Sequence, residues 1–135
     1  MGGDPMATLN WLAVIAAALA GFAIGGIWYG PLFGKPWMQE AGMTEEKAKS
    51  GNPAKIYGTT LLLNLVATFS LAMFIGKGDL NFGVFAGFMS GFTFVSMALG
   101  VIYLFEHRTL KLWLINAGYQ TLNFTVMGAI LGAWH

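Results

Sequence analysis

Residues 82–105 read FGVFAGFMSGFTFVSMALGVIYLF, an apolar run without one charged side chain. At about 1.5 Å rise per residue, a helix of this length exceeds the roughly 30 Å hydrocarbon core of a bilayer. Three more runs of the same kind occupy residues 9–29, 56–75 and 112–134, again with no interior charge. The expectation is an all-α integral membrane protein, a four-helix bundle crossing the bilayer four times. Of its 135 residues, 56% are hydrophobic and 10% charged, whereas charged residues make up about a quarter of a soluble domain. Short connections leave room for one transmembrane domain, residues 9–135, and no separate soluble one.

The first run resembles a secretory signal only superficially. It has no basic segment before it and ends in Trp28-Tyr29-Gly30-Pro31 instead of a small-residue cleavage site, so it reads as a retained helix. Residues 1–8 read as leader and N-terminal tail, with Met6 as the natural start. The loop at residues 30–55 carries Lys35, Lys47, Lys49 and Lys55, and the turn before the last helix carries Arg108 and Lys111. Six of the seven basic residues thus fall on one face, against Lys77 alone on the other. The positive-inside rule makes that face cytoplasmic and puts both termini outside a bacterial inner membrane.

Several function classes drop out. A net charge of +1 gives nucleic acid no reason to bind. The chain has no cysteine, so disulfides and thiolate chemistry are excluded. His107 and His135 stand at helix ends, far from a shared metal site, and no metal, cofactor or catalytic set is expected. No Asp, Glu, Lys, Arg or His lies at mid-membrane depth, which argues against a proton relay or an ion-coupled pump.

Two constellations remain. The first is glycine at helical spacing: Gly83, Gly87 and Gly91, with Ser96 and Gly100 beyond, then Gly128 and Gly132, and Gly21 and Gly25 with Gly26 and Gly30. Such rows strip side chains from one stripe and let a second backbone approach, either within the chain or in a homo-oligomer. The second is the amide stripe Asn116, Tyr119, Gln120 and Asn123 at i, i+3, i+4 and i+7 of the last helix. Asn64, Thr93 and Ser96 are expected to face the same polar interior. Interhelical bonds in membranes average only about 0.6 kcal/mol, so this stripe reads equally as helix glue or as a path for a polar solute.

At the cytoplasmic face, Pro31 is expected to stop the first helix, Pro36 to open a short one ending near Gly42, and Thr44 to cap another beginning with Glu45 and Glu46. Trp28, Tyr29, Pro31, Phe33, Lys35 and Trp37 would then lie over a cytoplasmic mouth, with Glu106 and His107 beside them. Lys35 and Glu40 are placed to meet that last cluster. A weak internal echo relates Gly26-Ile27-Trp28-Tyr29 to Gly100-Val101-Ile102-Tyr103, and Leu63-Asn64 to Leu122-Asn123. It suggests two pseudo-repeated helical hairpins.

The strings Asn10-Trp11-Leu12-Ala13-Val14, Trp28-Tyr29-Gly30-Pro31-Leu32-Phe33-Gly34-Lys35 and Gly42-Met43-Thr44-Glu45-Glu46, with residues 110–119 and 127–134, resemble a family of small bacterial membrane proteins catalogued as domain of unknown function 1761. The resemblance covers nearly the whole chain from Leu9 and implies a four-helix inner-membrane protein with no established activity. The resemblance implies that many relatives carry histidine at the place of Gln120 and serine at that of Gly30. Glutamine donates and accepts hydrogen bonds but does not titrate, so no proton-handling role carries over.

Three functions are compatible with these residues. The first is a non-enzymatic protein that self-associates through its glycine faces and serves as a channel or carrier for a small neutral solute. The second is an assembly subunit that binds another membrane protein. The third is a lipid-directed enzyme using Glu106, His107 and Lys35, although it lacks a nucleophile. Beyond these, the bilayer is the partner the sequence requires.

Overall fold

The computed structural model describes residues 9–134. Residues 1–8, expected as leader and N-terminal tail, and His135 lie outside these. Among the described residues there is no strand, and the chain forms six continuous helices. They are α1 (Trp11–Leu32), α2 (Gly34–Ala41), α3 (Glu45–Lys49), α4 (Pro53–Ile75), α5 (Leu80–Phe105) and α6 (Leu110–Ala133). Five begin under a polar side chain that binds a backbone N–H left free by the first turn: Asn10, Thr44, Asn52, Asp79 and Thr109. Asn52 is followed by Pro53, whose missing N–H costs nothing at a helix start. Gly42 and Gly76 close α2 and α4 with positive φ, and His107 takes φ 59° in the turn after α5.

Pro31 does not stop α1. The helix widens over Trp28–Leu32 into a π turn in which the Phe33 N–H reaches the Trp28 carbonyl at 2.8 Å, and the chain leaves the helix only at Phe33. A second π turn, Ser90–Ser96, interrupts α5. Each wide turn admits one residue beyond the α repeat and shifts the register of the helix on its C-terminal side.

Helices α1, α4 and α5 are long and apolar enough to cross a membrane. Much of their apolar surface points outward, with Phe74 at 81% and Phe105 at 84% exposure, as a bilayer would require. Against the expectation of four such helices, α6 does not qualify as a fourth on composition. It has 24 residues, but Asn116, Tyr119, Gln120 and Asn123 interrupt its apolarity. Its place in the fold explains that composition. It runs through the middle, packed along α5 and also against α1 and α4, and buries Ile115, Ala117, Asn123, Met127 and Leu131.

Two seams hold the bundle. Small Ala13, Ala17 and Ala18 let α1 pack on α4, around Leu71, Ala72 and Ile75, and on Met127 and Leu131 of α6. The α5–α6 seam is closer, because an added Cβ at Gly83, Gly87 or Gly91 would strike the carbonyl of Gly128, Phe124 or Gln120. Gly128 and Gly132 answer with the same closeness to Gly83 and Asp79. These five glycines therefore all lie in the α5–α6 seam inside the chain. Of the two uses open to such a row, these contacts display the one within the chain.

Candidate functional site

The amide stripe of α6 shares one face, yet its members reach different helices. Asn64 Nδ2 of α4 donates to the Ala18 carbonyl of α1 at 2.9 Å, which leaves Asn64 Oδ1 to accept from Asn123 Nδ2 at 3.1 Å. This order fixes both amide orientations. Asn123 is 2% exposed, and its Oδ1 has no hydrogen-bond partner among the described residues. Gly21 stands directly before that oxygen, where a Cβ would collide with it.

One turn beyond each asparagine come Thr68 and Met127, both fully buried. Thr68 Oγ1 donates to the Asn64 carbonyl at 2.6 Å and touches Met127 Sδ at 2.9 Å. With Ala13, Val14 and Ala17 they seal the bundle toward the α4–α5 turn. Sequence reasoning passed over Thr68 and Met127, although each lies at i+4 from an asparagine it had singled out.

Toward the opposite end the helices part. Tyr119 Oη donates to the Gly21 carbonyl at 2.9 Å, and Gly25 leaves room for the phenol. A crevice of about 340 Å³ opens there between Leu63, Asn64 and Ala67 of α4, Val95 of α5, and Gln120 and Asn123 of α6. It shares Phe22, Thr60 and Tyr119 with a second space of about 360 Å³ that follows Gly25, Gly26 and Gly30 to Tyr29 and Tyr57. Gln120 is half-buried in this crevice and makes no side-chain hydrogen bond among the described residues. Phe22, Thr60 and Tyr57 are further wall residues that polarity in α6 alone did not reveal.

Other expected members of the interior lie elsewhere. Ser96 is buried in the α5–α6 seam, where its Oγ meets the carbonyls of Gly91 at 2.6 Å and Ala117 at 3.2 Å, with Thr121 Oγ1 at 3.3 Å. Thr93 bonds back to Met89 of its own helix and joins nothing. Asn116 sits nearer the helix start, accepting from Tyr29 Oη at 2.6 Å and donating to Tyr103 Oη at 2.7 Å.

That trio closes the loop end together with the indoles. Trp28 Nε1 donates to the Ile115 carbonyl at 3.0 Å, Phe33 packs on Trp28, and Trp37 stands edge-on to Tyr29. The segment thus covers the bundle end, with Pro31 and Lys35 exposed at its surface. Glu40 accepts from Thr109 Oγ1 at 2.6 Å and ties α2 to the start of α6. Glu106 pairs with its neighbour Arg108 at 3.2 Å in an exposed contact of little energetic weight. Lys35 forms no ion pair among the described residues, and so Lys35, Glu106 and His107 are not assembled.

Residues 12–132 match the model of a family described as a protein of unknown function, DUF1761. No curated protein and no solved structure matches.

Proposed function

We propose, from the premise that this chain belongs to the DUF1761 family and takes no activity from it, a small four-crossing membrane protein that carries a small neutral polar solute through the crevice beside α6. The observation that carries this reading is Gln120. An amide at membrane depth with no protein partner leaves hydrogen bonds unmade, at about 1–3 kcal/mol for each polar group kept from water. A solute that pairs with it recovers that cost. No ionisable side chain lines the crevice apart from its tyrosines, which suits a neutral molecule.

The sealed half argues for a carrier over an open channel. Beyond Asn123 the way is blocked by Thr68, Met127 and the α1–α4 seam, so passage requires α4 to move. Helix α6 counts as the fourth crossing because it runs beside α5 from the Gly83–Gly128 contact to the approach of Gly100 and Trp113. The basic loops favour a bacterial inner membrane with α2 and α3 in the cytoplasm, so the crevice lies in the cytoplasmic half, beneath the cover formed by Trp28, Phe33 and Trp37. A two-hairpin arrangement is supported by the echo positions themselves: Asn64 bonds to Asn123, and Tyr29 and Tyr103 share Asn116. Helix α1 packs along α6, but their counterparts α5 and α4 touch far less, and the crevice is that missing contact.

Proteoliposomes shocked with glycerol or urea test this reading. Light scattering should relax faster than in protein-free vesicles, and Gln120→Leu should remove most of the difference. Relaxation no faster than in empty vesicles overturns the carrier. A stoichiometric protein partner recovered from native membranes would then favour the assembly subunit.

A further inference from the structure

The crevice has a chemical bias that narrows its ligand. Three of its four hydroxyl donors are already committed to the protein: Thr60 Oγ1 to the Ile56 carbonyl at 2.7 Å, Tyr119 Oη to Gly21 and Tyr29 Oη to Asn116. Each asparagine nitrogen already donates one of its two N–H groups as well, Asn64 to Ala18 and Asn123 to Asn64. The remaining capacity is mostly for accepting. Each hydroxyl oxygen keeps lone pairs, Gln120 keeps its carbonyl, and the unpartnered Asn123 Oδ1 adds negative potential to the wall. Free donors are fewer than acceptor sites: the amide nitrogen of Gln120, the second N–H of Asn64 and of Asn123, and the exposed hydroxyl of Tyr57. Rings of Phe22, Tyr29, Tyr57 and Tyr119 flank the space, a setting suited to a flat molecule. No carboxylate is present to offset the desolvation of a cation.

We infer that the crevice selects a planar, uncharged solute rich in N–H donors, of the primary amide or urea class. This rests on the carrier reading and sharpens it from polarity in general to donor count. Gln120 is the adaptable contact: its carbonyl accepts one N–H while its own N–H binds the solute oxygen. The aromatic rings hold the plane. A tertiary amide of similar shape presents no N–H and leaves the acceptors of the wall without partners.

The chain contains two glutamines, Gln39 on exposed α2 and Gln120, so glutamine-selective 15N labelling in nanodiscs gives a site signal and an internal control. Acetamide, N-methylacetamide and N,N-dimethylacetamide, with two, one and no N–H, are titrated in turn. Acetamide should shift the Gln120 side-chain signal in a saturable way while Gln39 stays still. Loss of both N–H groups should weaken the apparent affinity about tenfold or more, the factor that about 1.4 kcal/mol represents. Equal responses to all three amides overturn donor selection and leave the crevice as a binding site. No saturable response of Gln120 to any of them overturns both the inference and the crevice reading on which it rests.

Discussion

Gly21 is the residue at which one added methyl does most. Its place before Asn123 Oδ1 and Asn64 Nδ2 means that a side chain there meets the joint of three helices, where both amides are held by their partners and have nowhere to turn. Gly21→Ala should improve local helix propensity by up to about 1 kcal/mol yet destabilise the protein by about 1–3 kcal/mol through overpacking. Thermal unfolding in detergent checks the sign, and a rise in melting temperature would show that the asparagine joint can yield. Gly26 supplies the control, since an added Cβ there meets nothing, and Gly26→Ala should be neutral or stabilising. From sequence, Gly21 and Gly26 look alike. Only the rotation of α1 against its neighbours separates the glycine that matters from the one that does not.

Among the elements, α5 carries the most instructive register. Its small residues Gly83, Gly87, Gly91, Ser96 and Gly100 are spaced four, four, five and four apart, and the single five falls on the π turn Ser90–Ser96. The wide turn absorbs one extra residue, so the same face continues to meet α6, with Ser96 on Ala117 and Gly100 beside Trp113. Trp113 Nε1 then takes the Ser96 carbonyl at 2.8 Å. Deleting Phe94 should convert the turn to ordinary α-helix and keep that face, leaving a folded protein of nearly unchanged melting temperature. Inserting one alanine there instead rotates the rest of α5 by about 100° and should abolish the fold. Unfolding curves of both variants decide it, and loss of fold on deletion would mean that the wide turn itself is required. The irregular spacing was visible in the sequence, but its meaning was not, because a gap of five reads as a broken row until a partner helix lies against it. Pro31 misled for a related reason: it does break α geometry, and the helix widens around it.

For the whole molecule, three of the apolar spans, the Thr44 cap and the shared face of the amide stripe were legible, because each is written in local composition. The crevice was not. It depends on α4 and α5 failing to meet, and no residue in either helix announces that. Nor could the stripe foretell that Asn116, Tyr119 and Asn123 would each serve a different neighbour while Gln120 served none. Orientation remains the sharpest test at this scale. The chain has no cysteine, so Lys47→Cys in α3 and Lys77→Cys in the α4–α5 turn each introduce a single thiol. In intact cells a membrane-impermeant maleimide should label the thiol at position 77 and spare the one at position 47. The reverse pattern would turn the crevice mouth to the outside.

The central position of α6 also bears on how the protein is made. Synthesis proceeds from the N-terminus, so α1, α4 and α5 meet the bilayer before α6 exists. On the proposed four-crossing topology the nascent chain then has three crossings, and α4 and α5 touch each other little. The Gly21 carbonyl and Asn64 Oδ1 wait in lipid for the stripe that will pair with them. Helix α6 is the least apolar of the four and enters last, into a slot whose polar groups match its own. On the proposed topology its insertion is templated by the helices it completes, and a ribosome that stalls before residue 110 leaves behind a chain with its polar joints open.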